Sequence, residues 1–169
     1  RADEVELFLN GRSLGVRSKE PGQFHVWWRV PFEPGTLRAV SRKDGKVVLT
    51  REIRTAGAPA QIRLSADRER IAADGKDLSF VTVKIVDKDG NLCPTAANEI
   101  TFKVKGKGYY RAGANGDPTS LESFQAPHMK VFSGMMTAIV SSTEEPGKIT
   151  LEATSKGLKK ATLVIESGK

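Results

Sequence analysis

The sequence predicts an all-β protein made of two tandem immunoglobulin- or fibronectin-like β-sandwich domains. Three observations carry that prediction. Apolar and polar residues alternate with a period of two in short runs, and Gly, Pro, Asp and Asn break those runs. The runs are shorter than a helix, which averages about 11 residues. A small, uncharged stretch near residue 57 separates two series of them, and 169 residues are enough for two modest cores.

Residues 1–57 form the first module. Val5, Leu7 and Leu9 alternate with Glu4, Glu6 and Phe8, giving one mostly buried face and one mostly outer face. Asn10-Gly11 is a tight-turn dipeptide, and residues 13–16 return as the partner strand. Residues 24–30 read as the next strand, with Phe24, Val26, Trp28 and Val30 on one face and His25, Trp27 and Arg29 on the other. One tryptophan is therefore core, and the other needs a different partner. Pro31-Phe32-Glu33-Pro34-Gly35 ends that strand. Residues 36–42 and 46–54 then form a hairpin around Lys43-Asp44-Gly45, where Asp-Gly suits a turn needing positive φ.

Thr55-Ala56-Gly57-Ala58-Pro59-Ala60 reads as the linker, and residues 58–169 as the second module. A strand at 61–66 is followed by a turn at Asp74-Gly75-Lys76 and a long strand at 79–87, with Val81, Val83 and Ile85 inward. Ile100, Phe102 and Val104 alternate with Thr101, Lys103 and Lys105, and strands at 134–142, 148–154 and 160–166 complete a sandwich of about seven strands. Residues 106–133 interrupt this series. A span of that length inside a domain is usually functional or packed on something. Within it, Leu121 and Phe124 are expected to anchor the excursion through apolar contacts.

Composition excludes several functions. The net charge of +7 is spread along the chain, with 11 Lys/Arg and 7 Asp/Glu in residues 1–57 and 16 and 13 in residues 58–169. A nucleic-acid binder would concentrate its basic residues in one face or tail, so nucleic acid is not an expected partner. No apolar run is long enough to cross a bilayer as a helix, so membrane insertion is not expected. The single cysteine, Cys93, cannot form an intrachain disulfide and reads as a small buried residue. An abrupt start, without Met and almost directly onto a strand, suggests a piece of a longer protein.

Candidate chemistry is sparse. His25 and His128 are the only histidines, and neither a nucleophile elbow nor a phosphate-cradling glycine loop appears. Asp117 and Glu122 could be paired as a glycosidase acid and base, but Asp-Pro is a common turn element and a loop Glu is usually solvated. Asp87-Lys88-Asp89-Gly90-Asn91 opens like a calcium loop, yet the twelfth position is Asn98 and the flanks are strands, so a hairpin turn is the better reading. Neither a metal nor a cofactor is expected. Trp27, flanked by His25 and Arg29, suits either a sugar ring or the face of a neighbouring domain, and the domain contact is favoured. Asn115, Asp117 and Glu122 join these three as carbohydrate or domain-interface candidates.

The runs Asp87-Lys88-Asp89-Gly90-Asn91-Leu92-Cys93-Pro94-Thr95-Ala96, Asn98-Glu99-Ile100 and Asn115-Gly116-Asp117-Pro118-Thr119-Ser120-Leu121-Glu122-Ser123-Phe124 resemble the C-terminal immunoglobulin-like domain of family 2 glycoside hydrolases. The similarity is to bacterial β-galactosidases of Bacteroides type. Val5-Glu6-Leu7-Phe8-Leu9-Asn10-Gly11-Arg12-Ser13-Leu14-Gly15 and Pro34-Gly35-Thr36-Leu37-Arg38-Ala39-Val40 resemble the small β-domain that precedes it. The resemblance implies a non-catalytic C-terminal region of a periplasmic or extracellular, retaining exo-glycosidase. The catalytic glutamates of such an enzyme lie on a barrel that no part of this chain resembles. Its implied partners are the catalytic and other β-domains of the parent hydrolase. The alternative is a carbohydrate-binding module that presents polysaccharide to that enzyme.

Overall fold

A computed structural model of the chain describes residues 2–169, and all its regular structure is strand. Arg1 lies outside the described residues. The chain divides into two units, one ending at Thr55 and one spanning Ala56–Lys169.

The first unit contains β1 (Glu4–Leu9), β2 (Arg12–Ser18), β3 (Thr36–Lys43) and β4 (Lys46–Arg54), arranged as one antiparallel sheet in the order β2-β1-β3-β4. Both hairpins turn on the residues the sequence offers. Asn10 and Gly11 have φ of 50° and 80°, and Asp44 and Gly45 have 49° and 74°. Positive φ at both central residues matches the strands' right-handed twist. Leu7 lies opposite Ala39, and Leu9 opposite Leu37, which in turn faces Ile53. Directly opposed residues share a face, so the β1 alternation carries an apolar stripe across to β4. The other face is mostly polar: Arg42 pairs with Glu6 at 2.9 Å, and the Arg38 guanidinium lies 4.8 Å from the Phe8 ring centroid.

Asn10 also ties the first turn to the chain entering β3. Its Oδ1 accepts the Thr36 N–H at 2.8 Å, while its Nδ2 donates to Glu33 Oε1 at 2.9 Å and to the Pro34 carbonyl at 3.0 Å. The carboxamide fills the space beside Gly35 so closely that a Cβ there would sit 1.9 Å from Oδ1.

The strand expected at residues 24–30 does not form. Residues 23–33 run without ladder partners, although the alternation survives: Val26, Trp28 and Val30 are half-buried while His25, Trp27 and Arg29 are exposed. Phe24, expected inward, is 89% exposed. Side chains rather than a ladder hold the segment. The Arg17 guanidinium lies 5.2 Å from the Trp27 ring and 5.3 Å from the Trp28 ring. Period two thus reports alternate burial here, not pairing.

The second unit is the two-sheet sandwich. Its strands are β5 (Gln61–Ala66), β6 (Arg70–Ala72), β7 (Leu78–Val86), β8 (Glu99–Gly106), β9 (Gly108–Ala114), β10 (His128–Lys130), β11 (Met135–Ser142), β12 (Gly147–Thr154) and β13 (Ala161–Gly168). One sheet runs β5-β7-β11-β9 and the other β10-β8-β12-β13-β6. All pairings are antiparallel except β13 with β6. Val81, Val83 and Ile85 face Ile100, Met129, Ile149, Leu151 and Ile165 in a core closed to solvent.

Two buried or half-buried carboxylates pin the edges of this core. Asp87 accepts the N–H groups of Gly57 at 2.8 Å, Asn91 at 2.8 Å and Asp89 at 2.9 Å, and the Asn91 side-chain amide at 3.0 Å. These donors hold its carboxyl far below the usual carboxylate range. The residues that resemble the start of a calcium loop therefore form a turn whose leading carboxylate is saturated with N–H groups. Asp77 accepts the Ala72 N–H at 2.7 Å and an Arg68 Nη at 2.7 Å, locking β6 against the following turn.

Candidate functional site

Three surfaces could do something: the excursion in the second unit, the Trp27 region and the β4 side of the first unit.

The excursion is shorter than the sequence implies, because β9 and β10 lie inside residues 106–133. What remains, residues 115–127, is held by its own polar side chains. Asn115 Nδ2 donates to the Lys130 carbonyl at 3.0 Å, and both Glu122 oxygens accept the Lys130 N–H, at 3.1 and 3.4 Å. Asp117 Oδ1 accepts the Thr119 N–H at 2.8 Å and the Thr119 hydroxyl at 2.7 Å. Those two donors hold the Asp117 carboxyl below its ordinary range. A general acid needs the reverse shift. Asn115, Asp117 and Glu122 are thus brought together, as the brace of a loop.

The apolar anchoring expected of Leu121 and Phe124 is not what the structure shows. Leu121 is fully exposed and Phe124 is 62% exposed. The Phe124 carbonyl, not its ring, is tied down, accepting the Gly113 N–H at 2.7 Å. Polar brackets along residues 115–122 fix the backbone, so the apolar side chains are free to point outward.

His25, Trp27 and Arg29 are all exposed on the unpaired segment, and His25 and Trp27 line a depression of about 540 Å³ together with Arg17 and Gln23. Trp27 is 57% exposed. Its ring carries two guanidinium groups, Arg17 at 5.2 Å and Arg29 at 6.0 Å, so cations already share the surface on which a sugar would stack. Beneath it, the Trp28 Nε1 is buried with no hydrogen-bond partner. His128 is elsewhere, on β10 of the second unit, with Nδ1 3.8 Å from Glu99.

The β4 side was not singled out by motif reasoning. Every residue of β4 is exposed, including Val47, Val48, Leu49 and Ile53. Beside it an apolar cleft of about 320 Å³ is lined by Leu9, Val30, Phe32, Leu37 and Ile53. Phe32 is 83% exposed and Ile53 68%. In the sequence the run Val47-Val48-Leu49 interrupts the alternation, and it falls where the β3–β4 ladder shifts register opposite Ser41 and Arg42.

Comparison with known proteins gives two family matches. The family described as glycoside hydrolase family 2 C-terminal domain 5 matches residues 62–164, and a domain of unknown function matches residues 1–49. The chain is 50% identical over 167 residues to beta-galactosidase BoGH2A of Bacteroides ovatus, covering 99% of this chain and 20% of that protein. A beta-galactosidase of Thermoanaerobacter pseudethanolicus is 30% identical, with 90% of this chain and 21% of that protein covered. Among solved structures, a glycosyl hydrolase family 2 member from Bacteroides cellulosilyticus superposes with a TM-score of 0.92 at 37% identity, over 99% of this chain and 22% of that one. A beta-glycosidase from Bacteroides vulgatus gives 0.92 at 35% identity, over 98% and 21%. The chain spans about a fifth of the length of the relatives it matches.

Proposed function

The chain belongs to the C-terminal domains of glycoside hydrolase family 2, and on that premise we propose that it is a non-catalytic region of a retaining exo-glycosidase acting on terminal β-galactosides. Its task is to pack against the catalytic and other domains of that longer polypeptide. The observation that carries this reading is the engagement of its two candidate loop acids. Asp117 is bound by Thr119 and Glu122 by the Lys130 amide, so neither is placed as a free acid facing a second carboxylate across a substrate. The β-galactoside assignment rests on the names of two relatives, the beta-galactosidases of Bacteroides ovatus and Thermoanaerobacter pseudethanolicus, the first of them 50% identical. Two further relatives are named beta-glucuronidases.

Assaying the purified chain on a chromogenic β-galactoside tests the reading. The chain alone should give the rate of the blank, and the longer polypeptide carrying it should hydrolyse the substrate. Turnover by the isolated chain would sink the proposal.

A further inference from the structure

We propose that the β4 side of the first unit is a docking surface, and that its occupant is another segment of the same longer polypeptide, presenting an apolar patch with an acidic rim. This rests on the accessory reading above and deepens it by naming the surface and the chemistry of the partner.

The argument starts from what a sheet needs. A β-sheet is stable in water when one face is buried against another layer. The second unit supplies both layers itself. Among the described residues the first unit has one sheet, and only part of its apolar face is covered. Leu7 and Leu9 are buried, whereas Leu49 and Ile53, which the register places on that same face, remain open. The cleft between Ile53, Phe32 and Leu9 is wide enough to take an apolar side chain from a partner.

Edge geometry points the same way. β4 is an edge strand of 9 residues without proline. Isolated edges are normally blunted by shortness, proline, charged side chains or a bulge that turns the strand away, because their free N–H and C=O groups otherwise recruit other strands. β4 has charges at Lys46, Arg51, Glu52 and Arg54 but neither shortness nor proline. β4 has one irregularity opposite Ser41 and Arg42, and its central and C-terminal stretch remains regular. What stays uncovered on this edge is therefore the apolar pair Leu49 and Ile53 beside the cleft.

Charge selects the occupant. β4 carries Lys46, Arg51 and Arg54 against the single acid Glu52. In a two-fold contact between copies this patch would face itself and bring its cations together. A segment of the same polypeptide avoids that repulsion if its rim is acidic. Tethering also raises its effective concentration to roughly the millimolar range. The relatives matched here have about four-fifths of their length outside the region this chain matches, which is ample to provide that segment.

Hydrogen exchange on the wild-type chain, alone and within the longer polypeptide, tests this without any variant. Amides of β4 should exchange about tenfold or more slowly in the longer polypeptide, and equal rates in both would overturn the proposal. Ile53→Asp should lower the melting temperature of the longer polypeptide while leaving that of the isolated chain unchanged. Val164→Asp, at an exposed site in the second unit, should change neither. An equal effect of both substitutions, or none from Ile53→Asp, would also overturn it. So would concentration-dependent dimerisation of the isolated chain that Ile53→Asp abolishes, because the occupant would then be a second copy. None of these readouts depends on turnover, so a failure here is distinct from a positive result in the galactoside assay.

Discussion

Glu122 and Lys130 are joined side chain to backbone, both carboxylate oxygens sharing the Lys130 N–H while Asn115 holds the carbonyl of the same residue. This places a loop and the short strand β10 under one clamp. Glu122→Gln keeps an acceptor oxygen, whereas Glu122→Ala removes it. Exchange of the Lys130 amide should accelerate clearly in Glu122→Ala and only slightly in Glu122→Gln. An unchanged rate in Glu122→Ala would show that the clamp does not order the loop.

Leu151 is closed to solvent at the centre of the second unit's core. Leu151→Ala should lower the unfolding free energy by about 2–5 kcal/mol, the transfer cost of the lost methyl groups plus that of the cavity left behind. Leu121→Ala should change the stability of the isolated chain by less than about 0.5 kcal/mol, because Leu121 buries nothing there. Urea unfolding of both variants gives the comparison.

Asp77 sets an acid limit. The Ala72 amide and the Arg68 guanidinium lower its carboxyl from an ordinary value near 3.8 to about 2. A carboxyl with a lowered folded-state pKa contributes stability that is fully present above its unfolded value and lost as pH falls through its folded one. That contribution should therefore disappear between about pH 4 and pH 2. In Asp77→Asn, the part of the acid destabilisation due to this group should be absent, and the variant should already be weakened at neutral pH. Melting temperatures from pH 7 to pH 2 would reveal it, and parallel curves for the two proteins would contradict it.

Gly134 and Gly157 both have φ of 75°, but their surroundings differ. A Cβ at Gly134 would lie 2.2 Å from the Cys93 carbonyl oxygen, while nothing lies within 4 Å at Gly157. Gly157→Ala should cost about 1 kcal/mol for the left-handed backbone alone. Gly134→Ala should cost clearly more, since backbone must move away from backbone. Equal losses would show that the region around Cys93 relaxes freely.

What could be read in the sequence was whatever one chain segment determines locally. Asn10-Gly11 and Asp44-Gly45 specify their turns through their own φ preferences, and Val81, Val83 and Ile85 announce a buried face by spacing alone. Residues 24–30 carry the same spacing, but whether a ladder partner exists depends on other strands. β9 escaped notice because Gly108, Ala112, Gly113 and Ala114 have weak strand preference and the strand shifts register opposite Ile139 and Val140. The candidate sites followed the same division. His25, Trp27 and Arg29 were placed outward by parity, and they are exposed. The brace formed by Asn115 and Glu122 was invisible, because their common partner is a backbone group whose position only the folded chain defines.

The Asn10 carboxamide restricts what evolution or chemistry can do to an ordinary turn. Asn-Gly and Asp-Gly are usually interchangeable in two-residue hairpins, and this chain uses one of each. At position 10 the exchange is closed. Hydrolysis of the amide would remove the two donations to Glu33 and the Pro34 carbonyl and set a second negative charge against the Glu33 carboxylate. Exchanging that one NH₂ for oxygen, with almost no change in shape, would thus loosen residues 33 and 34 from the first turn while the β1–β3 ladder and the bond from the Asn10 N–H to the Thr36 carbonyl stay in place.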